Sequence, residues 1–159
     1  MKSDLNRALD RNRAERSRGA LTHGLHQLNV DPSKFQILNF DIAYDLNMEA
    51  RMFLNAPSTV SIGGEEISSA DEVSKTLEGK RVHPNVCLVS FDSYDALGIL
   101  AIANTSYALS VWETLLAVDT EGFAMHSVNM DWWTAIWFAD AQRNSYMFAW
   151  NYVNSPPNR

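Results

Sequence analysis

The first thirty residues of the chain show the apolar spacing of a helix. Leu5 and Leu9 are four residues apart, and Leu21, Leu25 and Leu28 repeat at spacings of four and three. Ser3 provides a side-chain oxygen that can cap the first turn, and Asp31-Pro32 stops a helix because proline has no N–H. The pattern predicts a helical region over residues 1–30 with a polar, solvated middle from Asp10 to Arg18.

From Leu38 the period changes to that of a strand. Apolar side chains alternate with polar or small ones at Leu38, Phe40, Ile42, Tyr44 and Leu46. Period two is typical of a half-buried strand. A helix over residues 42–54, with Ile42, Leu46, Ala50 and Phe53 on one face, remains an alternative to this strand. Pro57 ends the segment in either case.

Two glycines divide the next apolar stretch. Gly63-Gly64 within residues 59–67 predicts a β-hairpin, because consecutive glycines supply the positive φ angles of a two-residue turn. Ser69 and Glu72 form a capping box, and the short helix after it should end at Gly79. This order of elements resembles the C-terminal part of glutaredoxins over about twenty residues. The paired cysteines of that family are absent, so no function is carried over from it.

The middle of the chain predicts a buried strand followed by a buried helix. Val86–Phe91 is a continuous apolar run, and the stretch from Tyr94 to Ala103 is rich in Ala, Leu and Ile. Residues 107–114 fit a strand or a helix equally well. A strand is favoured over residues 115–118, because a turn at Asp119–Gly122 follows it.

The last third of the sequence is aromatic and has the character of a β-sheet. We expect a strand over Phe123–Val128, an antiparallel hairpin formed by Thr134–Ala139 and Tyr146–Val153, and a frayed tail at residues 154–159. Together the patterns predict one α+β domain over residues 1–159. It combines an N-terminal helix, a mixed or antiparallel sheet with a short and a buried helix, and C-terminal antiparallel hairpins.

The composition of the chain predicts the cellular compartment of the protein. The chain has 159 residues, of which 46% are apolar and 20% charged, the balance of a globular domain. Its single cysteine, Cys87, lies in an apolar run and predicts a buried thiol rather than a disulfide. No apolar leader opens the sequence, and the longest apolar stretch, Ala96–Ala103, is too short for a bilayer. We therefore expect a cytoplasmic protein that has no contact with membranes.

Charge is unevenly distributed along the chain. Residues 1–18 contain six Lys or Arg against three Asp or Glu, whereas residues 82–142 contain seven Asp or Glu and no Lys or Arg. Nucleic-acid binding needs clustered cations, so it is expected, if anywhere, through the basic N-terminal helix. That helix could also dock on a second copy and form a homo-oligomer. The acidic stretch favours a basic protein partner.

The tryptophans indicate where such a partner would bind. All five lie between Trp112 and Trp150, and Trp132 and Trp133 must point to opposite faces if they belong to a strand. Exposed Trp beside carboxylates is typical of a protein-binding surface. The candidate partner-binding residues are Trp132, Trp133, Trp137, Asp119, Glu121, Asp131 and Asp140.

A second candidate site consists of paired carboxylates. Asp92 and Asp95 follow a buried strand, where they could bind Mg²⁺ or cap a helix, and Asp41 and Asp45 share one face of the predicted strand. No phosphate-binding loop, nucleophile motif or metal-ligand spacing accompanies them, so we expect neither a metal nor a cofactor.

No motif in the sequence names a reaction, and we lean away from an enzyme. The leading hypothesis is a small acidic interaction protein that binds and blocks a macromolecule, in the manner of immunity proteins or phage anti-defence inhibitors. The alternative is a small-molecule-binding domain or enzyme with an aromatic-lined pocket and paired carboxylates. A second alternative is a structural or assembly subunit.

Overall fold

A computed structural model describes residues 4–55, 60–79, 85–91, 99–128 and 132–153. The helices are α1 (Asp4–Gln27), α2 (Phe40–Asn55), α3 (Ala70–Gly79), α4 (Thr105–Ser110) and α5 (Trp112–Val118). The strands are β1 (Phe35–Ile37), β2 (Val60–Ile67), β3 (Val86–Phe91), β4 (Leu100–Asn104), β5 (Phe123–His126), β6 (Trp133–Phe138) and β7 (Tyr146–Val153). The predicted tail at residues 154–159 lies outside the described residues.

These strands form one sheet in the order β1-β4-β3-β5-β6-β7-β2, and each neighbouring pair is antiparallel. The predicted α+β class is thereby confirmed. The predicted C-terminal hairpin is also present, since β6 pairs with β7 from Thr134↔Trp150 to Phe138↔Tyr146. Strands β1 and β2 lie at opposite edges of the sheet, and α2 connects them in the chain.

One face of the sheet carries the main core. Phe91, Phe123, Ile136 and Phe148 stand in a single cross-strand row, and each is at most 1% exposed. Leucines of α1 and α5 and Val73 of α3 belong to the same buried cluster. Burying one such phenylalanine contributes about 1.5–3 kcal/mol, so this row is a large part of what holds the helices to the sheet. We call this side the helix-covered face.

The opposite face has a smaller apolar cluster near β3 and β4. Ala43 of α2 packs with Leu88 and Leu100, and Leu46 and Ile102 border them. This places the start of α2 over one half of the opposite face.

Helix α1 ends before the proline, and a local motif accounts for its end. Asn29 adopts a left-handed conformation with φ of 59°, and the Val30 N–H donates to the Leu25 carbonyl at 3.0 Å. A six-to-one bond around a left-handed residue is the Schellman motif, which satisfies carbonyls that the helix leaves unpaired. The helix therefore stops through Asn29, and Asp31-Pro32 belongs to the connection after it.

The predicted strand over residues 38–46 is wrong, and the alternative helix is correct. Asn39 caps α2, since its Oδ1 accepts the Ile42 N–H at 3.1 Å. Within residues 40–47, the part of α2 whose side chains are described, Phe40, Ala43 and Asn47 are buried, whereas Ile42 is 49% exposed. After Phe40 a small and a polar residue thus face the core, which hid the helical period from a pattern based on large apolar residues.

The predicted Gly63-Gly64 hairpin is also wrong. Strand β2 runs unbroken through both glycines and pairs with β7 from Val60↔Val153 to Ile67↔Tyr146. The partner strand is distant in sequence, so local turn chemistry could not reveal it. Ser69 is confirmed as the N-cap of α3, because its Oγ accepts the Glu72 N–H at 3.3 Å, whereas Glu72 Oε2 accepts from Ser68 Oγ at 3.4 Å. The helix extends to Gly79, the last described residue of that range.

Two assignments in the middle of the chain are reversed. Leu100–Asn104 is a strand rather than the end of a buried helix; it has apolar side chains on both faces because both faces are covered. The segment around residues 107–118, expected to end as a strand, forms α4 and α5. Asn104 caps α4 by accepting the Tyr107 N–H at 3.0 Å, a signal the sequence analysis missed.

Candidate functional site

The three candidate tryptophans are all half-buried. Trp133 and Trp137 lie four residues apart on β6 and share the opposite face of the sheet, whereas Trp132 packs against the cluster of the helix-covered face. The two neighbouring indoles therefore diverge, as the sequence predicted. Partial exposure leaves Trp133 and Trp137 with apolar area that a partner could cover.

The four candidate carboxylates have different surroundings. Asp119 is 3% exposed, and its Oδ1 accepts the Glu121 N–H at 3.1 Å. It organises the turn before β5, so it does not present a surface charge to a partner. Glu121 is exposed at that turn, Asp140 lies in the β6–β7 turn, and Asp131 lies outside the described residues.

A cluster of carboxylates forms where β2, α3 and the β6–β7 turn meet. Ser145 Oγ lies 2.7 Å from Glu66 Oε1 and 3.1 Å from Asp140 Oδ2, which joins the turn to β2. The Asn144 N–H donates to Asp140 Oδ1 at 3.1 Å, and this bond above all lowers the pKa of the Asp140 carboxyl. Asp140 therefore stays ionised to lower pH than an ordinary aspartate.

Beside this junction, β2 and α3 enclose an open cleft of about 580 Å³. It is lined by Glu65, Glu66, Ile67, Ser68, Glu72, Lys75 and Thr76. Successive residues of a strand point to opposite faces, so Glu65 and Glu66 place carboxylates on both sides of β2. We call the carboxylates of Glu65, Glu66, Asp71, Glu72 and Asp140 the acidic edge.

The acidic edge lies close to Trp137. Trp137 pairs with Met147, and Met147 pairs with Glu66, so the three side chains form a row across β6, β7 and β2. Neighbouring strands are about 4.8 Å apart, which puts Trp137 roughly 10 Å from Glu66. Sequence reasoning identified Trp137 and Asp140 but missed Glu65, Glu66 and Glu72, because only the β2–β7 pairing brings them together.

Asp41, a member of the second candidate site of paired carboxylates, forms ion pairs within the chain. Asp41 Oδ1 accepts from Arg11 at 2.6 Å and from Arg7 at 3.4 Å. The same arginines lie over aromatic rings of α2, Arg7 over Tyr44 at 5.3 Å and Arg11 over Phe40 at 5.7 Å. Asp41 thus helps to hold the start of α1 against α2.

Among the remaining members of that candidate site, the structure describes Asp45. Asp45 is exposed on α2, one turn after Asp41, and Asp92 and Asp95 lie outside the described residues. The predicted solvated middle of α1, from Asp10 to Arg18, is exposed or half-buried except at Ala14, although Arg11 contacts α2 of the same chain.

Across the described ranges, no group of three or more His, Cys, Asp or Glu is arranged to hold a metal ion. No helix within them is long and apolar enough to cross a bilayer. Neither a protein-family model nor a curated protein matches the sequence.

Proposed function

We propose that this chain is a small acidic interaction protein that binds a cationic segment of another protein and blocks the contacts of that segment. The observation that carries the proposal is the acidic edge. In β2, α3 and the β6–β7 turn (residues 60–79 and 139–145), the five carboxylates of the acidic edge and that of Glu78 accompany two cationic side chains, Lys75 and Arg143. The Arg143 guanidinium lies 5.3 Å from the centre of the Phe138 ring, so it is engaged in a cation–π contact within the chain.

Electrostatics gives this surface its selectivity. A concentration of negative charge speeds the encounter with a cationic partner and disfavours acidic ones. The attraction extends over about 8 Å at physiological salt, so it acts mainly on groups brought close to the edge. Carboxylates alone give weak, salt-sensitive binding, because exposed ion pairs contribute about 0–1 kcal/mol each.

The apolar row beside the edge provides the second component. Trp137 and Met147 are half-buried next to Glu66, and aromatic and Met side chains are enriched at the centres of protein interfaces. A partner that covers them while pairing with the carboxylates would exclude water from both. The partner's cationic segment would then be sequestered, which is the proposed blocking action.

The proposal is tested with two charge-matched double variants. Glu65→Gln with Glu72→Gln removes two of the five charges of the acidic edge, and Asp45→Asn with Glu113→Gln removes the same charge from exposed positions on α2 and α5. Binding of a fluorescein-labelled lysine-rich peptide is measured by fluorescence anisotropy at low salt. We expect the edge variant to lose at least tenfold in affinity and the remote variant to lose less than twofold. Equal losses would show a diffuse effect of net charge and refute the site.

A further inference from the structure

We propose that the cationic segment binds as an additional β-strand on the free edge of β2. The inference rests on the proposed function and supplies the backbone contacts by which such a segment would be held. In the described sheet β2 pairs with β7 alone, so every second residue directs its N–H and C=O away from any partner strand.

The two edges of the sheet differ in how far they are protected. β1 has three residues, Lys34 precedes it directly, and Pro32 lies two residues further back. Short length, lysine and proline are devices that keep an edge from pairing. β2 has eight residues without Lys or Pro, and its register with β7 contains no bulge. Of the two edges of the described sheet, β2 is the longer and is free of Lys and Pro; its own charges, Glu65 and Glu66, oppose pairing with an acidic strand and favour a cationic one.

Charge selects the occupant. Glu65 and Glu66 place carboxylates on both faces of β2, and Glu72 faces the cleft from α3. An added strand with Lys or Arg on both of its faces would meet opposite charge on each side. A second copy of the chain would instead bring its own Glu65 and Glu66 to the same edge, where like charges repel. The geometry points to an extended, Lys- or Arg-rich segment of a partner protein.

The test separates strand addition from plain charge attraction. The probe is a labelled ten-residue peptide in which Lys and Val are interspersed, measured by fluorescence anisotropy with the full chain. Two derivatives have N-methyl groups on alternate residues, one on the odd and one on the even positions. N-methylation removes backbone donors while the charge and side chains stay the same. A strand pairs through alternate residues, so we expect one derivative to lose at least tenfold in affinity and the other to bind like the parent.

Hydrogen–deuterium exchange locates the bound peptide. We expect new protection within residues 60–67 and unchanged exchange in β1. Equal binding of the parent and both derivatives, or protection elsewhere, would overturn strand addition and leave the proposed function standing. A parent peptide that does not bind at low salt would contradict both proposals. Self-association of the chain alone, seen by analytical ultracentrifugation with residues 60–67 already protected, would make a second copy the occupant and overturn the cationic segment.

Discussion

At the residue scale, Cys87 shows how burial controls chemistry. The side chain is fully buried on the helix-covered face, and burial raises the pKa of its thiol from 9.0 to about 11. A shift of that size lowers the native thiolate fraction roughly 100-fold near neutral pH. We expect native protein to react with Ellman's reagent only as fast as it unfolds, and urea-unfolded protein to react at once. Rapid labelling of the native protein would contradict the buried placement.

The same thiol makes stability depend on alkaline pH. Its pKa is raised in the folded state, so between pH 9 and about 11 the unfolded chain binds fewer protons than the native one. The stabilising contribution of the buried Cys87 thiol to the free energy of unfolding is fully present below pH 9 and is lost as the pH rises towards 11. In urea titrations, we expect the stability advantage of the natural chain over Cys87→Ala to narrow across this window. A constant difference would refute the assignment.

A substitution at Asp41 tests the contact between α1 and α2. Its two arginine pairs have side chains about half exposed, so each contributes less than about 1 kcal/mol. We expect Asp41→Asn to change the free energy of unfolding little and to speed amide exchange in the first turns of α1. Asp45→Asn makes the same charge change one turn later and serves as the control. Equal effects of the two variants would contradict a specific contact.

At the scale of an element, the end of α1 depends on one residue. Asn29 is left-handed, a conformation that costs most side chains roughly 1–2 kcal/mol but costs Gly nothing. We expect Asn29→Ala to lower the free energy of unfolding by about 1 kcal/mol and Asn29→Gly to leave it equal or higher. Urea unfolding of both variants checks the order, and a more stable Ala variant would exclude the Schellman end.

Whether the secondary structure of an element could be predicted depends on how far apart in sequence its stabilising contacts lie. Helix α3 was predictable because Ser69 and Glu72 set its start within one turn of chain. Helix α2 was not assigned to its correct form, because Ala43 and Asn47 face inward while Ile42 is exposed. The fate of Gly63-Gly64 depended on β7, which no local pattern contains. Local contacts thus made prediction possible but did not guarantee it, because Asn104 caps α4 within one turn and that helix was still missed.

The candidate site follows the same division. Trp137 and Asp140 could be chosen from residue type alone, since aromatic residues are enriched at protein interfaces and carboxylates favour a cationic partner. Asp119 was also chosen by type, yet its carboxylate is used inside the molecule to hold a turn. Glu65 and Glu66 gained their importance only from the place of β2 at the end of the sheet order.

At the scale of the whole molecule, the separation of charge predicts how binding responds to salt. The formal net charge is −6, and the acidic edge concentrates part of it beside an apolar row. Raising ionic strength from 0.1 M to 1 M shortens the screening length from about 10 Å to about 3 Å. We expect the association rate of a lysine-rich peptide to fall steeply and its dissociation rate to change little. Stopped-flow fluorescence separates the two, and a dissociation rate that carries most of the change would contradict electrostatic steering.

The long-range pairing of β2 with β7 has a consequence for synthesis. Paired residues are 79 to 93 positions apart, as in Ile67↔Tyr146 and Val60↔Val153. At typical elongation rates of 5–20 residues per second, β2 is made roughly 4–19 s before its partner strand. A nascent chain that lacks β7 has residues 60–67 but no sheet edge, because the junction of Glu66 with Ser145 does not yet exist. A partner that needs this edge would therefore not bind nascent chains that lack β7, and would bind only chains in which β2 is paired with β7.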